Sequence, residues 1–250
     1  MLIPIKVLSE TFSINPKSIL HVGAHLGEER GEYIAHGWGK HGGIVWVEAQ
    51  KELCEDLMTM FDESFSSESV INALVWNEDN IEKTFHISNS TQSSSILAFG
   101  QHSKLYPSIV TVKSITLRTS RLDSIIQNGT QLRKFDFVNL DIQGVELQAL
   151  QGMGSILDDV VWIYSEVNFE EMYRDCSRIS EIDDYLSPFG FKRQLTKKAI
   201  RGGWGDALYV KNPSIGFRLR CIFWSIHETL MLWKHLLCKF YRRLRETCGG

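Results

Sequence analysis

The sequence has no run approaching the roughly 20 apolar residues of a membrane-spanning helix, so no span is expected. It has no C-x-x-C pair. Its five cysteines, Cys54, Cys176, Cys221, Cys238 and Cys248, are odd in number and widely spaced. That excludes a zinc ribbon and argues against a disulfide framework; free thiols in a reducing compartment are expected. There is no internal repeat and no low-complexity linker. Met1–Phe12 is too short and too interrupted by charge for a secretion signal, so the triplets Asn89-Ser90-Thr91 and Asn128-Gly129-Thr130 read as chance matches. These absences point to a cytoplasmic protein. A net charge of −3 argues against a nucleic-acid partner for the whole chain.

What is present suffices for a large core. The 250 residues are 43% hydrophobic and 23% charged. A chain of this length buries roughly 70–75% of its extended surface. Short apolar strands alternate with helical segments. The strands are Ser18–Val22, Ile44–Val47, Val70–Val75, Phe135–Leu140 and Val160–Tyr164; the helices are Glu28–His36, Lys51–Phe61, Leu122–Gln127, Val145–Gln151 and Ile179–Leu186. Thr111–Leu117 reads as an extra strand. This alternation predicts an α/β fold, a Rossmann-like doubly wound and mostly parallel sheet. Gly190–Lys192 and Ala207–Val210 are joined only through the Lys- and Gly-rich stretch 197–205. They suggest a closing hairpin, hence one antiparallel strand near the C-terminal end.

The tail differs. From Gly216 to Gly250 the chain carries a net charge of +5, against −8 for the remainder. Leu219, Ile222, Ile226, Leu230, Trp233, Leu237, Phe240 and Leu244 recur at steps of three and four, the stripe of an amphipathic helix. Residues 1–213 therefore read as one domain and 214–250 as a basic amphipathic helical tail. Two uses stay open for the tail: peripheral contact with an anionic membrane surface, and packing on its own domain or self-association.

The most informative segment is Ile19–Glu29. Gly23 and Gly27 follow the first strand and open a helix, where the backbone can approach a ligand closely. Glu48 ends the second strand, placed to accept hydrogen bonds from ribose hydroxyls. A dinucleotide turn wants G-x-G-x-x-G, which is missing. Glu28 and Glu29 at the helix start would repel a pyrophosphate but suit the cationic sulfonium of S-adenosylmethionine. With no obvious Tyr-x-x-x-Lys pair either, a nicotinamide oxidoreductase is the weaker reading.

Four stretches taken together, Ile19–Glu29, Val45–Ala49, Phe137–Leu150 and Gly205–Val210, resemble the FkbM family of S-adenosylmethionine-dependent methyltransferases. The resemblance covers about residues 17–211, and Asn89–Leu97 is similar to the family's serine-rich loop. It implies a class I methyltransferase sheet and methyl transfer, commonly to a hydroxyl of a sugar, a glycan or a glycosylated natural product. Many members have Asp where His21 stands and Glu-Gly where this chain has Gln143-Gly144. A degenerate domain that binds a glycan or protein partner without turnover is the non-enzyme alternative, resting on those two departures.

Methyl transfer to an alcohol needs an aligned oxygen and a group that takes its proton. Ligands of open α/β sheets sit outside the carboxyl ends of the strands. Gly23, Ala24, His25, Gly27, Glu48, Ala49, Asn72, Ala73 and Asp141 are the expected donor-binding residues. Asp141 is the preferred base, followed by His25 and Glu166, with capping of the next helix as the alternative role of Asp141. Those three could also hold a divalent cation, but their spacing requires none, and no metal ligand is assigned. Ser93, Ser94, Ser95, Asn168 and Trp204 are the candidate acceptor contacts. His36, His41, His86 and His102 show no ligand spacing and read as surface or core residues.

Overall fold

The structure is a computed structural model that describes residues 1–61, 67–130 and 134–248, with side chains described as far as Met231. The chain divides into two compact units, Met1–Asn212 and Pro213–Gly250. In the first unit α1 (Ile5–Glu10) precedes β1 (Ser18–Val22), α2 (Arg30–Ala35), β2 (Gly43–Glu48), α3 (Lys51–Thr59), β3 (Glu68–Asn72), β4 (Leu74–Val75) and β5 (Glu82–Ser88). Then come α4 (His102–Leu105), β6 (Thr111–Ser120), α5 (Leu122–Gly129), β7 (Phe137–Leu140), α6 (Glu146–Gln151), α7 (Ile156–Asp159) and β8 (Trp162–Asn168). The helix α8 (Ile179–Leu186) leads to the strands β9 (Phe191–Lys198) and β10 (Trp204–Lys211). The second unit carries α9 (Ile215–Cys248).

The main sheet has the order β3-β2-β1-β7-β8-β10-β9. The pairings from β3 through β8 are parallel, and β10 runs antiparallel to both β8 and β9. The expected closing hairpin is thus present. Its strands are longer than their apolar centres suggested, so the connector shrinks and Trp204 opens β10. The central strands β1, β2 and β7 are buried along their whole length, as strands covered on both faces must be. Leu20, Val22, Val45, Val47, Val138 and Leu140 face a core shared with Leu122 and Ile126 of α5, Leu150 of α6 and Ile182 and Leu186 of α8. On the opposite face His21 stacks on Trp46 at 4.9 Å, and Trp38 lies 4.9 Å from Phe137. His21 is a satisfied core residue: its Nδ1 lies 3.3 Å from the Tyr33 hydroxyl, which also accepts from Asn139 Nδ2 at 3.0 Å. Burial lowers its pKa.

One strand reads differently from its sequence. Val70–Val75 is not continuous; β3 stays in the main sheet, while β4 joins β6 and β5 in a separate three-stranded sheet. The break has a local cause. The Asn72 amide donates to the carbonyls of Glu48 and Ala49 at 2.9 and 3.0 Å, and Ala73 N–H donates to Glu48 O at 3.0 Å. These bonds hold the end of β2 as the chain turns away. The strand β5 was not anticipated, because of its seven residues only Phe85 and Ser88 are buried and no apolar run marks it. Cys54, Cys176 and Cys221 are free thiols; the side chains of Cys238 and Cys248 lie outside the described residues. Among the described residues no helix is long and apolar enough to cross a membrane.

Candidate functional site

Two cavities open at the carboxyl ends of β1, β2, β7 and β8. The smaller, about 60 Å³, is lined by Glu48, Ala49, Ala73, Val75, Phe85, Ser94 and Ile142 among others. The larger, about 390 Å³, is lined by Glu28, Glu29, Glu166 and Asp206 on its acidic side and by His102, Tyr106, Met172, Tyr173 and Trp204. Gly23, His25, Gln92, Asp141 and Gln143 line both.

The loop after β1 comes close to the strand beside it. Gly23 has φ of +83°, and a Cβ there would sit 1.8 Å from the Asp141 carbonyl oxygen, so only glycine fits. His25 also sits in the left-handed region, at φ of +46°. Strain of this kind persists only where surrounding bonds hold it. Here His25 N–H donates to Glu48 Oε2 at 3.0 Å, while Gln50 N–H donates to Glu48 Oε1 at 2.8 Å. Glu48 is nearly buried, yet each oxygen keeps a lone pair for a further donor. The His25 ring lies 2.6 Å from Glu28 Oε1 through Nδ1 and 2.7 Å from Thr91 Oγ1 through Nε2. The hydrogen bond to Glu28 raises the His25 pKa, and Glu28 is held down at about 2 even though burial alone would raise it. Both ring nitrogens are engaged, so His25 bridges the glycine loop to the 91–92 loop.

The loop after β7 presents the carboxylates. Gln143 has φ of +58° and Gly144 +105°; a Cβ on Gly144 would lie 2.9 Å from Cys176 Cβ. Glu146 is fully buried and accepts from Gly144 N–H at 3.0 Å and Ile142 N–H at 3.2 Å, which fixes the turn. The Gln143 amide then bridges two acids. Its Nε2 donates to Asp141 Oδ1 at 2.6 Å and to Glu166 Oε2 at 3.1 Å, and its Oε1 accepts from the Tyr173 hydroxyl at 2.5 Å. Asp206 is tied from the other side by the Tyr164 hydroxyl and Leu2 N–H.

Asp141 is reached by water in the cavity but surrounded by dense protein. Desolvation raises its pKa, and the charges of Asp206 and Glu29 raise it further, against the Gln143 hydrogen bond. Glu166 lies well above the usual carboxylate range, from burial first and the Asp141 charge second. Such a carboxyl binds more protons folded than unfolded, so its stability contribution is lost as pH rises from about 4 through its folded pKa. Replacing Glu166 by glutamine is therefore expected to raise Tm at pH 8, by about 2–4 °C for each kcal/mol relieved, with little change near pH 4. Thermal melts at the two pH values check this; an equal change at both contradicts it.

Of the residues singled out from the sequence, Gly23, His25, Glu48, Ala49, Ala73, Ser93, Ser94, Asp141, Glu166 and Trp204 line one cavity or both. Ala24, Gly27, Asn72, Ser95 and Asn168 line neither. Ala24 is buried with its N–H on Val47 O, and a Cβ on Gly27 would meet Leu57 at 2.6 Å. Asn72 clips the end of β2, and the Ser95 hydroxyl donates to Gln143 O at 2.8 Å. Asn168 is fully buried on β8 with its amide atoms unpartnered among the described residues. Thr91, Gln92, His102, Tyr106, Tyr173 and Asp206 join the site without having been singled out. His102, expected at the surface or in the core, stacks on Phe99 at 4.5 Å and lines the larger cavity. Among the described residues no group of three His, Cys, Asp or Glu side chains is arranged to hold a metal ion.

The fold and this carboxylate-rimmed glycine loop define a class I methyltransferase domain. The family profile described as "Methyltransferase FkbM domain" matches residues 21–193, and the chain belongs to the FkbM methyltransferase family. No curated protein matches the sequence. Among solved structures, an FkbM methyltransferase from Methylobacillus flagellatus is 15% identical with a TM-score of 0.53, over 83% of this chain and 48% of that one. This chain thus spans about half the length of that relative. A SAM-dependent methyltransferase from Aquifex aeolicus is 13% identical over 84% and 90% of the two chains, TM-score 0.44. Magnesium protoporphyrin IX methyltransferase from Synechocystis with bound SAM is 10% identical over 77% and 69%, TM-score 0.40. At such identities the likeness to the Methylobacillus structure shows the fold.

Proposed function

We propose that the protein transfers a methyl group from S-adenosylmethionine to a hydroxyl of an uncharged sugar, glycan or glycosylated natural product. One observation carries the reading: two unlike cavities meet at Asp141. The smaller offers apolar walls for an adenine face and the Glu48 carboxylate for a ribose diol. The larger is acidic where a sulfonium would sit and aromatic beyond. S-adenosylmethionine supplies an electrophilic methyl group when bound.

This chain's own residues do the rest. Glu48 and the backbone at Gly23 and Ala49 hold the donor. The carboxylates of Glu28 and Glu29 favour its positive charge. Asp141 takes the acceptor's proton. The Gln143 hydrogen bond falls on Oδ1 and leaves Oδ2 without a partner among the described residues. A base must be ionised but not too weak, and the raised pKa of Asp141 meets both conditions near neutral pH. Trp204 is held by its Nε1–H, which donates to the Tyr106 hydroxyl at 3.1 Å, and an indole so fixed can cover a pyranose face. No Lys or Arg lines the larger cavity, and its cationic groups, the Met1 amino group and His25, are already paired with Glu29 and Glu28, so a phosphorylated or carboxylated acceptor would meet mostly like charge.

Incubation with methyl-labelled donor and a panel of neutral glycosides, beside the matching sugar phosphates and uronic acids, tests the reading. Label on a hydroxyl oxygen of neutral glycosides is expected. Label on nitrogen or carboxylate oxygen, or preferential labelling of the anionic sugars, would contradict it.

A further inference from the structure

The helix α9 has two opposed faces. Phe217 and Cys221 are buried. Ile215, Leu219, Ile222, Phe223, Ile226 and Leu230 are between 48% and 77% exposed. Their spacing puts these six on one stripe about 100° wide, opposite Phe217 and Cys221. Soluble proteins rarely leave so continuous an apolar stripe in water without a partner for it.

Charge decides between partners. At 3.6 residues per turn Arg218 falls on one flank of the stripe and Arg220 on the other. Past Met231 the side chains lie outside the described residues, but the backbone stays helical to Cys248 and the sequence keeps the pattern. Trp233, Leu237, Phe240 and Leu244 fall at the phase of the stripe, Lys234 and Arg245 on the Arg220 flank, and Arg243 on the Arg218 flank. The two acidic residues, Glu228 and Glu246, fall on the opposite face. A second copy paired through this stripe would set basic flank against basic flank, with no acidic residue at the seam. An anionic bilayer matches both features, because acyl chains accept the stripe and headgroups accept the flanks. No described helix can span a bilayer.

We propose that α9 lies in the plane of an anionic lipid surface, with the Ile215–Leu230 stripe entering the acyl boundary and the flanking Arg and Lys side chains on the headgroups. The anchor is independent of the methyl-transfer reading.

Co-sedimentation of the full chain with vesicles tests it. One set is phosphatidylcholine alone; the other contains about 30% phosphatidylserine, which gives a surface potential that attracts basic segments. Each basic side chain near such a surface strengthens binding about fivefold, so binding to the mixed vesicles is expected to be tighter by about tenfold or more and to weaken in high salt. The double variant Ile222→Glu/Ile226→Glu is expected to lose vesicle binding while S-adenosylmethionine binding, read by calorimetry, is kept. Failure of the wild-type chain to sediment with the mixed vesicles overturns the proposal. Equal sedimentation by the double variant overturns it too. A concentration-dependent dimer that the variant abolishes, without vesicle binding, would assign the stripe to a second copy instead.

Discussion

Glu48→Ala is expected to weaken S-adenosylmethionine binding about 100-fold or more. The Glu48 oxygens already accept from His25 and Gln50 N–H, at 3.0 and 2.8 Å, and each keeps a lone pair for a ribose hydroxyl. Hydrogen bonds to an ionised carboxylate contribute about 1.5–3 kcal/mol each, and losing two exceeds the roughly 2.7 kcal/mol of a 100-fold change. The substitution also releases His25 from its left-handed conformation, so the loop that faces the donor loses its anchor. Glu48→Gln separates these effects. It keeps the shape and one acceptor oxygen but turns an NH₂ group toward a backbone N–H, and a loss nearer tenfold is expected. Calorimetry on the three proteins reads this directly. Near-wild-type affinity in Glu48→Ala would remove the ribose role.

Asp141→Asn is expected to do the opposite: turnover falls by about 10²–10⁴, the usual worth of a general base, while donor affinity changes by less than about threefold. Asparagine keeps the volume and an acceptor for the Gln143 amide, so the turn held by Glu146 stays in place. What it loses is the ionised oxygen that takes the proton. The split between affinity and rate separates a catalytic loss from a structural one. Methylation at the wild-type rate would move the base elsewhere. His25 is poorly suited, since both its ring nitrogens are occupied by Glu28 and Thr91. Glu166 would be the next candidate, and its strongly raised pKa would then require activity to rise only at higher pH.

The parallel centre of the sheet and its closing hairpin were legible because strands buried on both faces read as unbroken apolar runs. Ser18–Val22 and Ile179–Leu186 have the bounds their sequence patterns suggest. The small sheet was not legible beyond Thr111–Leu117, since β5 fully buries only Phe85 and Ser88 and β4 continues the apolar run of β3. The site divided along the same line. Gly23, Glu48 and Asp141 sit at the ends of apolar strands, where local pattern marks them. The larger cavity draws His102 and Tyr106 from one connection and Tyr173 from another, and no periodicity links them. Gln143 was visible as a polar residue beyond the end of its strand and as a departure from its family. Its amide between Asp141 and Glu166 depends on the left-handed turn at 143–144, which a sequence pattern does not display.

The most direct test of the account is a calorimetric titration of the wild-type chain and Glu48→Ala with S-adenosylmethionine, with NAD as the control ligand. Saturable one-site binding of S-adenosylmethionine by the wild type, none of NAD, and loss in the variant are the results the account predicts. Failure of the folded wild-type chain to bind S-adenosylmethionine, alone or with a neutral glycoside present, would contradict it.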